Sequence, residues 1–106
     1  MTTFDKRKDE AEARFKHDQD LAFKANARRN KLLGLWAAEQ MGRVGKSAEE
    51  YAKEVVIDDF ERAGDDDVLQ KVHKDLTAAG IDVSDHRIRK EMDRLMEVAR
   101  AEVLTD

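Results

Sequence analysis

The chain has 106 residues, enough for one domain around one modest core, and 42% of them are charged. It contains no Cys, which excludes a disulfide framework, a Cys-ligated zinc site and a thiol nucleophile. Pro is absent, Gly numbers only five and good helix formers abound, so the composition predicts an all-α protein.

From the first twenty residues into the next turn, Phe4, Ala11, Phe15 and Ala22 recur at spacings of seven, four and seven. That is a narrow helical stripe in a segment whose other residues are mostly Asp, Glu, Lys and Arg. Burying two Phe and two Ala at about 25 cal/mol per Å2 falls short of ordering twenty residues at roughly 1–2 kcal/mol each. The segment is expected to fray alone and to become helical against a partner.

From about residue 21 to Met41 a stronger helix follows. Phe23, Ala27, Leu33, Ala37 and Met41 mark one face, and Leu32, Leu35 and Trp36 widen it. Gly42 stands where a helix ends in a left-handed residue. A second helix is expected from Ser47, where Ser47-Ala48-Glu49-Glu50 reads as a capping box. Its stripe is Ala48, Tyr51, Ala52, Val55, Val56, Phe60 and Ala63, and Gly64 is its stop. The third helix opens on Asp65-Asp66-Asp67, carboxylates suited to capping amides and to the positive helix end. Val68, Leu69, Val72, Leu76 and Ala79 form its stripe, before Gly80 and an Ile81 placed for a Schellman motif. The fourth runs from near Ser84 to about Leu104 on Ile88, Met92, Leu95, Met96, Ala99 and Val103. The short connections favour antiparallel neighbours, so a four-helix bundle over residues 21–106 is the expected architecture.

Charge is uneven within the net −4. Residues 21–46 carry six Lys/Arg against Glu39 alone, whereas residues 47–106 carry nine against seventeen Asp/Glu. The basic block can meet an acidic partner or phosphate, or lie against the acidic helices of its own bundle. No apolar run approaches the ~20 residues that span a bilayer. Met1 to Glu10 is too charged for a signal peptide, so a cytoplasmic location without direct membrane insertion is expected.

Chemistry is hard to find. His17, His73 and His86 form no H-x-x-x-H or HExxH pair. Asp65-Asp66-Asp67 lacks the spacing of a calcium loop. Gly45-Lys46-Ser47 repeats the end of a P-loop, but Gln40 stands where its first Gly belongs, and a helix precedes instead of a strand. Arg43, Lys46 and the free amides after them can hold at most an anion. Arg28, Arg29 and Lys31 cluster near Trp36, without the interleaved aromatics of a nucleic-acid platform. The residues therefore point to an interaction protein, with no enzyme activity and no metal.

The run Phe23-Lys24-Ala25-Asn26-Ala27-Arg28-Arg29-Asn30-Lys31-Leu32-Leu33-Gly34-Leu35-Trp36-Ala37-Ala38-Glu39 is long and specific. With Ala52-Lys53-Glu54-Val55-Val56 and Asp58-Asp59-Phe60, it resembles the zeta subunit of α-proteobacterial F1F0-ATP synthase, an inhibitor of the F1-ATPase. The likeness covers nearly the whole chain. It implies a four-helix bundle and a mobile inhibitory segment, residues 1–20, that enters an α/β catalytic interface. The α, β and γ subunits of F1 would be the partners, and the location peripheral to the inner membrane through F1F0. Phe4, Ala11 and Phe15 would pack into the interface, with Arg7, Lys8 and Arg14 paired to acidic groups around it. The resemblance also implies binding of adenine nucleotides, ADP or ATP, for which Arg28, Arg29, Lys31 and Lys46 are the candidate residues. The alternatives are a bundle that senses adenine nucleotide and a helical adaptor for another machine.

Overall fold

The computed structural model describes residues 3–62 and 64–105, with side chains from His17 onward. They form four helices and no strand: α1 (Thr3–Gln40), α2 (Lys46–Glu61), α3 (Asp65–Ala78) and α4 (Asp85–Thr105). Helix α1 is the spine, packing most extensively on α2 and α4 and less on α3.

Two of the glycine stops work as expected. Gly42 takes φ +76°, its amide donates to the Glu39 carbonyl at 3.0 Å, and the Arg43 amide donates to the Ala38 carbonyl at 2.8 Å. Gly80, at φ +81°, donates to Thr77 at 3.0 Å while Ile81 donates to Leu76 at 2.9 Å. Both are Schellman motifs, and the left-handed residue is why glycine stands there. Ile81 packs on the core as this motif prefers.

Other helix ends differ from expectation. The Ser47 capping box does not form. Gly45 precedes the first helical residue, so Ser47 lies inside the first turn and its Oγ accepts from Arg43 Nε at 2.8 Å. No aspartate side chain caps α3, because two of the three carboxylates are drawn sideways. Asp65 accepts from Arg29 Nη2 at 2.8 Å, and Asp66 accepts from Arg89 Nη2 at 2.6 Å. All three still place negative charge at the positive end of the helix. Helix α2 ends at Glu61, short of Gly64, and Ala63 lies outside the described residues. At α4, Ser84 Oγ accepts from the Arg87 amide at 3.1 Å, the usual hydroxyl cap.

The core draws on all four helices: Leu33 and Ala37 from α1, Tyr51 and Val55 from α2, Val68, Val72 and Leu76 from α3, Ile88 and Met92 from α4. At the centre α1 and α2 touch backbone to backbone. A Cβ on Gly34 would stand 2.6 Å from Ala52 Cα, closer than side chains approach. A mid-helix glycine costs up to about 1 kcal/mol against alanine, and this crossing is what the cost secures. The stripe read for α1 is wrong at one end: Phe23 is 57% exposed, and its counterpart Phe60 on α2 is 68% exposed. Helix α2 stops one residue after Phe60, and at that level the two rings pack on each other, edge to face at 5.5 Å.

Polar groups also enter the interior. Arg29 is 2% exposed and donates to Asn30 Oδ1 at 2.9 Å as well as to Asp65. Tyr51 is buried and donates its hydroxyl to Asp75 Oδ2 at 2.8 Å, while Arg43 and Lys71 lie 5.2 and 5.7 Å from the ring centre. Lys71 shares Asp75 at 3.1 Å. No buried side-chain nitrogen or oxygen among the described residues lacks a partner.

Two outcomes follow from this packing. Gly34→Ala is expected to destabilise by about 1–3 kcal/mol in denaturant melts, and adding Ala52→Gly to return part of the loss. Burial, reinforced by the hydrogen bond to Asp75, pushes the Tyr51 hydroxyl well above its ordinary value of 10.0. Its neutral form is the one the fold favours, so this stabilisation is complete below pH 10 and is lost as pH rises beyond it. Tyr51 is the single tyrosine. Tyrosinate absorbance should therefore appear only together with loss of helical circular dichroism, above the pH at which free tyrosine ionises.

Candidate functional site

Helix α1 is longer than the bundle it belongs to. Its 38 residues make about 57 Å of helix, and the molecule measures 64 × 25 × 23 Å. Leu21, Ala22 and Ala25 line a cleft with Val103 and Leu104, the last turn of α4. Next along α1, towards its N-terminus, His17 to Asp20 are all exposed. Helix α4 ends at Thr105, so Leu21 marks the last level at which it can hold α1. The backbone continues as the same helix back to Thr3, about 26 Å from Asp20. Phe4, Arg7, Lys8, Ala11, Arg14 and Phe15 belong to this stretch by position, and their side chains lie outside the described residues.

The four cations considered for a nucleotide do not converge. Arg29 is enclosed and bonded to Asp65 and Asn30. Arg28, one residue away on the helix, pairs with Glu102 of α4 at 3.1 Å. Lys31 points outward over the α1/α2 groove, and Lys46 is exposed at the start of α2. The basic block of residues 21–46 is thus partly internal, two of its arginines neutralising carboxylates of α3 and α4. Arg43 is held by Ser47 beside the Tyr51 ring.

One surface was not picked out from the sequence. Along the outer seam of α1 and α2 runs an open groove of about 580 Å3, lined by Leu35, Ala52, Val56 and Ile57 and bordered by Lys31, Lys53 and Glu49. It continues past Ala27 to Phe23, Lys24 and Phe60. Ile57 is 56% exposed. The visible signal was Ile57 itself, an apolar residue off the stripe of its helix, next to the β-branched pair Val55-Val56.

Among the described residues no group of three or more His, Asp or Glu is placed to hold a metal ion. Among the described residues no helix is long and apolar enough to cross a membrane. The arrangement is suited to presenting a helix and a groove to another macromolecule.

A family model described as ATPase inhibitor subunit zeta matches residues 1–102. A solved structure, determined by solution NMR, is 47% identical, with a TM-score of 0.69; the match covers 78% of this chain and 94% of that one. Comparison with curated proteins finds no match.

Proposed function

This chain belongs to the ATPase inhibitor subunit zeta family, and from that premise we propose that it stops ATP hydrolysis by F1 with the N-terminal part of α1. The helix enters an α/β catalytic interface and wedges it. F1 works by opening and closing these interfaces in turn as the central γ subunit rotates. A helix held in one of them blocks the next conformational step. Such a block requires tighter binding to one state of the interface than to the others.

What supports this reading is the continuity of α1 from Thr3 to Gln40, past the level where the bundle can hold it. At about 100° per residue, positions 4, 11 and 15 fall within roughly 40° of one another around that helix. Positions 7 and 14 fall on one flank of this stripe and position 8 on the other, an apolar ridge between cationic edges. Helix-in-groove recognition uses that pattern, with apolar anchors supplying affinity and edge charges supplying orientation. The bundle stays outside as the handle, and the wedge gains order when the interface closes on it. Attachment through F1F0 would hold the protein peripheral to the inner membrane.

A regulatory adenine nucleotide is a secondary part of the proposal. Lys46, exposed beside the first amides of α2, carries no ion pair among the described residues and stands where a phosphate can be held.

Deleting residues 2–19 should abolish inhibition of F1 hydrolysis while the remaining chain keeps its helicity and cooperative melting; a truncated chain that inhibits fully would refute the wedge. Titration with ADP should move amide resonances around Lys31 or Lys46, and a spectrum unchanged at both removes the nucleotide.

A further inference from the structure

We propose that the α1/α2 groove is a second docking surface, which receives an acidic amphipathic helix of the same ATPase at the outer margin of the interface that α1 enters. The inference rests on the inhibitory reading above and adds a contact surface to it.

The groove has the apolar content of an interface. Phe23, Ile57 and Phe60 are each more than half exposed, and none of them reaches the core. They are contiguous through Val56, which lines the groove at both ends. A bundle in which 42% of residues are charged had ample means to cover this seam with polar side chains. Exposed apolar surface gathered in one place, with a polar rim, marks a surface meant for a partner.

Its shape selects a helix. Two antiparallel helices form the walls, and from Leu35 to Phe23 the trough is about 18 Å long, roughly three helical turns. A third helix lying along it would present anchors at i, i+4 and i+7 to Leu35, Val56 and Phe60 in turn. Closer approach of backbone to the floor is prevented at the Gly34–Ala52 crossing, where α1 and α2 already touch.

Its charge selects the partner. Lys24, Lys31 and Lys53 border the groove, and none makes an ion pair among the described residues. The cations that face the bundle from α1 and α3, by contrast, are engaged: Arg29 with Asp65, Lys71 with Asp75; Arg28, at the margin of the groove, pairs with Glu102. Glu49 and Asp59 lie towards opposite ends of the trough, where they set the direction of an incoming helix rather than repel it. An acidic flank on that helix therefore meets the three lysines, which steers encounter and fixes register.

Continuity with α1 names the source. The groove is walled by the same unbroken helix that carries the wedge, and Phe23 lies about 12 Å along the axis from Phe15. Insertion of the N-terminal turns brings the groove to the mouth of the interface, against whatever surface of the ATPase is there.

The test uses the full chain against F1. Ile57→Ser/Phe60→Ser alters only exposed side chains, and Lys31→Glu/Lys53→Glu reverses the rim; circular dichroism and melting verify that both fold. Each should raise the concentration for half-inhibition by about tenfold or more, with complete inhibition still reached at saturation. A photo-crosslinker at position 57 should capture an acidic helix of an F1 subunit. Wild-type inhibition by both variants overturns the groove while leaving the wedge intact. Loss in the apolar variant alone overturns the acidic partner, and a crosslink to a second copy of this chain assigns the groove to self-association instead. If the wild-type chain does not inhibit F1, the inhibitory reading fails and this inference with it.

Discussion

Helix α1 packs against all three of the other helices, and against α2 it does so at backbone distance, with room at Gly34 for nothing larger than hydrogen. That crossing fixes more than one pair of helices. It sets how far α2 stands from the α1 axis, and so whether Tyr51 and Val55 reach the core shared with α3. It also leaves the outer seam of the pair open, because helices this close in the middle cannot be filled between by long side chains. The core on one side and the groove on the other are two results of one contact.

The polar interior specifies the arrangement of the rest. Burying a guanidinium is costly unless its donors are met, and removing one partner of such a pair is strongly destabilising. Arg29 meets Asn30 on its own helix and Asp65 at the start of α3, so α3 has one register in which Arg29 is satisfied. Tyr51 does the same between α2 and α3 through Asp75. Apolar stripes of Val, Leu and Ala tolerate rotation and sliding, whereas these directional contacts do not. The charge imbalance between the basic middle of the chain and its acidic second half is used here, through Arg28 and Arg29, to hold helices together. Among the cations that remain exposed, Lys24, Lys31 and Lys53 border the seam between α1 and α2.

Much of this was legible beforehand, for identifiable reasons. The four helices follow from period and from glycine stops, and Gly42 and Gly80 act as read because the Schellman geometry needs a left-handed residue at one defined place. Of the α4 stripe, Ile88, Met92, Leu95, Ala99 and Val103 are buried and Met96 is half-buried. The capping box failed because its pattern is local, and a glycine two residues earlier moved the helix start. The aspartates of α3 were read as caps because their partners, Arg29 and Arg89, are distant in sequence. Phe23 was assigned to the core because periodicity gives the face of a residue but not whether a neighbouring helix reaches that level. The groove escaped for the same reason: it belongs to two helices at once, and no single stripe contains it.

The proposed inhibitory mechanism depends on α1 being one element once the wedge is seated, rather than two joined by a hinge. A flexible tether would let the wedge bind while the bundle drifted, and a contact made by the bundle would then add little that depends on the state of the ATPase. In a continuous helix, Phe15 and Phe23 are separated by about 12 Å along the axis and about 80° around it, and neither value can change without breaking backbone hydrogen bonds. Wedge and groove can then be satisfied together only when the catalytic interface and the surface at its mouth hold one particular relation. Because the ATPase alters that relation as it turns over, simultaneous engagement favours a single state. That supplies the differential affinity an inhibitor needs, which tight binding to every state alike would not provide.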